Sequence, residues 1–376
     1  MKTSQQIFSA ADAAIELGPV TRPEQALLLA FGPEALLTDG GWLARVREAF
    51  PGVSLVGCTT AGEISHEGAQ DGVLTLTLAE FQSTELRVAT EEIPSMGESR
   101  VVGGRLASQL LAPGDLAAAF VLSDGLEANG SELVEGLRQE IGPATPLSGG
   151  LAGDGPRFEN TLLLHNGEVL AKHVLGIGFY GEKVRVSASC FSGWTPFGTF
   201  RKVTRSRANI VEEIDEKPAL EVYSSYLGPE AEELPSSGLL YPLELRLPGA
   251  EEDGLIRTLL AVDREQGSLT FAGDVPLGAE VRLMNASYSQ LVDGATTAAQ
   301  GLSGSPDLAI LISCVGRKLL MGNYTDLEVS AVAEALPGTS VFTGFHSYGE
   351  VGPSKISGKC ELHNQTMTIT AFGEDA

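Results

Sequence analysis

Apolar and polar residues along this chain fall into one composite pattern that recurs three times. Each recurrence opens on a short apolar run of strand length, at residues 27–31, 119–123 and 309–314. Apolar positions at three- and four-residue steps follow over 42–50, 131–141 and 327–336, the spacing of a helix with one buried face. Pro51-Gly52, Gly142-Pro143 and Pro337-Gly338 end these helices, because proline lacks the amide for another turn and glycine accepts a reversed backbone. A second strand then runs into a loop of small residues closing on glycine and an acid.

The first and third loops, 57–64 and 344–351, share the pattern G-x-x-[ST]-x-G-E-[IV]. The middle loop keeps Gly149 and Gly150 and ends on Gly153-Asp154. From Phe31 to Glu63, from Ser123 to Asp154 and from Cys314 to Glu350 the chain covers nearly the same length each time. Strand-type alternation closes each unit at 73–78, 174–180 and 367–370, and Leu164-His165-Asn166 and Leu362-His363-Asn364 recur in phase. The predicted fold is α/β: internally repeated strand-helix-strand units forming helix-covered mixed sheets, pseudo-symmetric and divided into two domains. Between Pro229 and Asn285 the pattern changes to Pro-rich β segments, which sets the expected boundary near Tyr226. Residues 1–226 then hold two units, and 227–376 hold the β-rich insert and the third.

Charge narrows the partners. Against 25 basic residues stand 49 acidic ones, a formal net charge of -24 that repels nucleic-acid phosphates and anionic lipid, so neither nucleic acid nor membrane is an expected partner. Residues 1–17 lack the apolar core of a signal peptide, and no apolar run has the length of a membrane span. Cys58, Cys190, Cys314 and Cys360 lie far apart, without metal-site or disulfide spacing, which points to a cytoplasmic protein with reduced thiols.

Enzyme motifs fail in context. Residues 176–181 match G-x-G-x-x-G, but strand alternation follows them where a dinucleotide site needs a helix. Glu63, Asp154 and Glu350 form a conceivable acid/base set, with no motif supplying a nucleophile or metal, so catalysis stays the alternative. A glycine-acid loop is in isolation a tight turn; three at strand ends of an α/β array gather where ligands sit. Arg317, just past a buried strand, offers a planar fork for a carboxylate, or else a structural pair with an acid such as Glu350. Among the five histidines, His346 stands out between Phe345 and Tyr348, either as a haem-type axial nitrogen or as an ordinary hydrogen-bonded loop residue.

At these residues the chain resembles the FIST family. Gly57 through Ser65 resembles that family's G-C-[ST]-T-A-G-E-I signature, and Pro146 through Asp154 its P-x-x-G-G-x-A-G-D block. Gly193-Trp194-Thr195-Pro196 and Pro218 through Tyr223 resemble later landmarks. Ser313-Cys314-Val315-Gly316-Arg317, Gly344 through Glu350 and Leu362 through Thr366 resemble the motifs of its C-terminal domain. The resemblance implies a non-enzymatic sensory domain for signal transduction. Because this chain has the architecture of the family's stand-alone branch, the resemblance favours haem sensing nitric oxide as its ligand chemistry, with an amino-acid-like carboxylate as the alternative, and output to a separate histidine kinase or cyclic-di-GMP enzyme. The expected ligand-binding set is Cys58, Thr59, Thr60, Glu63, Gly149, Gly150, Asp154, Arg317, His346, Ser347, Tyr348 and Glu350, with His346 as the metal ligand.

Overall fold

In the computed structural model, which describes residues 1–247, 249, 254–336, 338–339, 341–354 and 358–375, the three units take one shared topology. Their opening strands are Ala26–Gly32, Leu116–Ser123 and Leu308–Cys314. Helices Gly40–Ala49, Gly130–Ile141 and Asp326–Ala335 follow, within a residue or two of the spans read from periodicity. Asp39 and Asn129 cap the first two by accepting the amides of Trp42 and Glu132, which satisfies donors the first helical turn leaves unpaired. Pro337, read as the third helix stop, lies outside the described residues. Second strands Ser54–Thr59, Leu147–Leu151 and Val341–Ser347 return parallel to the opening strands. Closing strands Leu74–Glu80, His173–Tyr180 and Met367–Glu374 pair antiparallel on the other side. Residues 176–181 of the glycine motif thus fall on and just after a closing strand.

The units exchange hairpins in a ring. The short strand after each loop leaves its own unit and pairs with the second strand of another. Glu63–Ser65 joins Val341–Ser347, Leu162–His165 joins Ser54–Thr59, and Gly349–Pro353 joins Leu147–Leu151. Three six-stranded mixed sheets result, each completed by a strand from elsewhere. The exchange also corrects one sequence equivalence. His165 ends the first strand of its hairpin, whereas His363 ends the second strand of the corresponding one, so the two are not structural counterparts.

Alternation along the strands divides the apolar side chains between two faces. Leu27, Leu29 and Phe31 face inward with Phe120, Leu122, Ile177, Ile310, Ile312 and Phe345, so the three sheets enclose one central core. Leu28 and Ala30 face outward and pack under Trp42 and Val46 of the covering helix. Each fully buried Leu or Phe contributes roughly 2 kcal/mol of apolar burial to this arrangement.

A separate antiparallel sheet is built from strands between Thr195 and Asn285. Position 226 lies inside helix Ala219–Leu227, and strand Thr195–Arg207 before it pairs with Glu280–Asn285 after it. The sheet is an insertion between strand Val184–Phe191 and helix Tyr288–Gln300 of the third unit. It docks against the body where Arg257 donates to the Leu362 carbonyl, Asn129 to Asp274 and Gln365 to the Leu239 carbonyl.

Candidate functional site

The three loops meet and are hydrogen-bonded one to the next. Ala61 N–H donates to the His346 carbonyl at 2.8 Å and His346 N–H to that of Gly62 at 2.7 Å. Gly153 N–H donates to the Thr59 carbonyl at 3.0 Å, and Tyr348 N–H to that of Leu151 at 3.2 Å. Thr59 also accepts the Leu162 amide on its hydroxyl. The glycine that starts each loop has a steric reason. A Cβ on Gly57, Gly149 or Gly344 would lie 1.9, 1.9 or 1.8 Å from the carbonyl oxygen of Ala30, Val121 or Leu311 on the neighbouring strand. Gly150 packs against Ile312 with no room for a methyl group, and Cys58 points into the central core.

The loop acids divide between two jobs. Thr60 Oγ1 donates to Glu63 at 2.5 Å, and the second Glu63 oxygen accepts the amide of Val73, just before its closing strand. Ser347 Oγ donates to Glu350 at 2.6 Å, and the second Glu350 oxygen accepts the amide and hydroxyl of Thr366, at the same place in the third unit. Both acids therefore staple a loop to the start of a closing strand. Burial pushes each carboxyl up to about 7, against the pull of these hydrogen bonds.

Asp154 instead caps its own loop, accepting the amides of Phe158, Glu159 and Asn160 and the hydroxyl of Tyr348. Burial pushes its carboxyl up, but these donors outweigh it and hold the group below the usual aspartate value. In the middle unit the stapling falls to Asp124, which accepts Lys172 N–H before the closing strand. Glu63 and Asp154 line one cavity, whereas Glu350 is buried against Ser347 and Thr366 and does not reach it, so the three acids do not converge as one set.

Arg317 is fully buried. Its fork pairs with Glu328 through Nε at 3.1 Å and Nη2 at 2.7 Å, and it also donates to the carbonyls of Ser192, Leu291 and Gln365. Its partner is thus Glu328 rather than Glu350, and its donors are taken by protein acceptors, which leaves no fork for a ligand carboxylate.

His346 is fully buried as well. Its Nδ1 lies 3.4 Å from the Gly62 carbonyl and its Nε2 4.0 Å from Glu328, without a hydrogen-bond partner among the described residues. Burial, with the nearby charges of Lys318 and Arg317, pushes the imidazole down to about 3 and keeps it neutral. An axial ligand must offer its nitrogen to a flat macrocycle across an open wall. Here Nε2 faces the buried Ser313–Glu328–Arg317 network instead, so the residues at His346 do not fit haem ligation.

What the loops expose is a cavity of about 420 Å³ lined by Thr60, Gly62, Glu63, Asp154, Arg157 and Lys318, among others. Lys318 Nζ donates to the Ala61 carbonyl at 2.7 Å and pairs with Asp71. Arg157 Nε lies 3.5 Å from Asp154, with 54% of its side chain exposed. Beside it runs a larger cavity of about 630 Å³, sharing Pro156 and Leu319, between the loops and the inserted sheet. Phe158 lines this second cavity and stacks on Tyr348 at 4.3 Å between centroids. Its φ of 56° is a conformation bulky residues rarely adopt. Arg157, Phe158 and Lys318 were missed in the sequence. Their signal was adjacency, two residues lying just past the Gly153-Asp154 motif and one just after Arg317.

Among known proteins the chain is similar to uncharacterised protein Rv0628c of Mycobacterium tuberculosis, 27% identical over 348 residues that cover 88% of this chain and 86% of that one. Uncharacterised protein Mb0898c of Mycobacterium bovis is 31% identical over 62% of each chain. Uncharacterised protein MJ1623 of Methanocaldococcus jannaschii is 26% identical over 48% of this chain and 36% of that one. The model of the FIST N domain matches residues 26–217, with all of the first two loops, and that of the FIST C domain matches 219–353, with the third. The chain belongs to the FIST family.

Proposed function

We propose that this protein is a small-molecule sensor whose ligand is an amino-acid-like carboxylate seated in the 420 Å³ cavity where the first and second loops meet. FIST domains are sensory rather than catalytic, and that class supports the reading. The observation that carries the reading is the composition of the wall: two cations, Lys318 and Arg157, face three acids, Glu63, Asp71 and Asp154. A carboxylate placed between Lys318 and Arg157 forms a charge-assisted pair with both cations beside their present partners Asp71 and Asp154, and the acids of the wall receive an α-ammonium group. Ligand contact with loop residues 60–63 is transmitted through the reciprocal bonds of Ala61, Gly62 and His346 to the third unit. In this reading the output is taken up by a separate histidine kinase or cyclic-di-GMP enzyme.

Titration calorimetry with each of the twenty L-amino acids tests the proposal. At least one is expected to bind saturably, with affinity lowered at least tenfold in Lys318→Met, a loss of about 1.4 kcal/mol. Absence of binding by the whole panel, or equal affinity in the variant, contradicts it. A sharp Soret band after haem addition that His346→Ala abolishes would overturn the placement of the site.

A further inference from the structure

The larger cavity beside the loops has a chemistry of its own. Its volume of about 630 Å³ falls in the range of small-molecule sites, and it lies at the junction of two structural parts, where such sites concentrate. Its roof is the pair of short 3-10 helices Gly228–Glu233 and Ser236–Leu240 from the insertion. Leu259 and Leu260 wall it on the insertion side, and Phe158 and Leu319 on the body side. Leu260 and Leu319 are 39% and 42% exposed, so each side contributes a leucine left open to solvent. Exposed apolar side chains lining one cleft mark a surface that gains from being covered.

The charge on this cavity has one sign. Its charged lining residues are Glu230 and Glu233, with no lysine, arginine or histidine among the described residues of the wall. Glu230 lies close enough to Tyr241 to push its phenol above the ordinary value, which places an aromatic ring beside a carboxylate within the lining. Phe158 supplies a second ring, held in place by its stack on Tyr348 and by the bond from its own amide to Asp154. Aromatic faces with carboxylates beside them attract a cation and disfavour an anion, and the net charge of -24 raises the local concentration of cations further. The neighbouring cavity differs in having Lys318 and Arg157 in its wall.

We propose that the cavity between the inserted sheet and the loops is a second ligand site, selective for a hydrophobic organic cation, an ammonium group carried on an apolar or aromatic body. The apolar body lies against Leu239, Leu259, Leu260 and Leu319, and the ammonium group is directed to Glu230, Glu233 and the ring of Tyr241 or Phe158. This site is independent of the carboxylate site, although the two share Pro156 and Leu319.

Calorimetric titration with tryptamine, benzyltrimethylammonium and indole-3-propionate separates charge from shape, since tryptamine and indole-3-propionate carry the same ring with opposite charge. At least one of the two cations is expected to bind saturably, and the anion at least tenfold more weakly. The double variant Glu230→Gln/Glu233→Gln, at exposed positions that the fold tolerates, is expected to weaken cation binding at least tenfold. Phe158→Ala weakens it too, whereas Lys318→Met leaves it unchanged. Failure of both cations to bind overturns the proposal, as does equal affinity for tryptamine and indole-3-propionate or cation affinity unaltered by the double variant. A loss of cation binding in Lys318→Met would show that only the carboxylate cavity is being occupied. Failure of the amino-acid panel leaves these outcomes intact, so the two proposals stand or fall separately.

Discussion

At the scale of single residues, the stapling by Glu350 and the buried Arg317 have measurable signatures. Glu350 is held at about 7 in the folded protein against an ordinary value of 4.5, so the folded state keeps a proton that the unfolded chain releases. Stability from that proton is fully present below about pH 4.5 and is lost as pH rises through about 7, on the order of 3 kcal/mol for a fully buried carboxyl. Glu63, raised to about 7 by the same cause, adds a loss in the same direction. Glu350→Gln mimics the protonated form, donating to Ser347 and accepting from Thr366. Denaturant melts at several pH values are expected to show a smaller loss between about pH 5 and about pH 8 in this variant than in the parent. An unchanged slope would show that Glu350 is ionised in the fold.

Arg317→Lys keeps the charge but cannot span Glu328 and three carbonyls at once. It is expected to cost about 3 kcal/mol of stability while leaving amino-acid affinity unaltered. Weakened binding without loss of stability would return Arg317 to the ligand set. Its true partner was hidden in the sequence because Glu328 lies on a helix that periodicity marks only by its apolar face, and helix charges ordinarily point to solvent.

At the scale of elements, the opening strands, helices, second strands and closing strands were all legible, because each buries one face and therefore writes its period into the apolar positions. The loop glycines were legible as repeats, but their cause was not. They are needed where the second strand passes the carbonyls of Ala30, Val121 and Leu311, a contact between residues far apart in sequence. Gly57→Ala is expected to destabilise the fold by roughly 3 kcal/mol, through backbone displacement of the parallel pair. A thermal melt within a degree or two of the parent would contradict that explanation. The exchanged hairpins left no local trace, since a short strand has the same alternation whichever neighbour it pairs with.

At the scale of the whole molecule, the ring of exchanged strands makes the units interdependent. A fragment of residues 1–182 would leave strand Leu147–Leu151 without Gly349–Pro353 and strand Glu63–Ser65 without Val341–Ser347, and would open the central core on one side. It is expected to lack a cooperative thermal transition by circular dichroism, where an independently folding N-terminal half would show one. The same ring explains why the lining of the proposed site was only partly legible. Thr60, Glu63 and Asp154 stand in the repeated motif and line the cavity, while Lys318 and Arg157 reach it through packing between units that no single repeat encodes.

The central claim, that a ligand is read where the first two loops meet, is tested most directly by amide hydrogen exchange with and without a saturating amino acid identified by calorimetry. Slower exchange is predicted at residues 60–63 and 155–158, with a smaller effect carried to 346–348 through the loop-to-loop bonds. Protection confined to other parts of the molecule, with exchange at 60–63 and 155–158 unaltered by a ligand that demonstrably binds, would contradict the account.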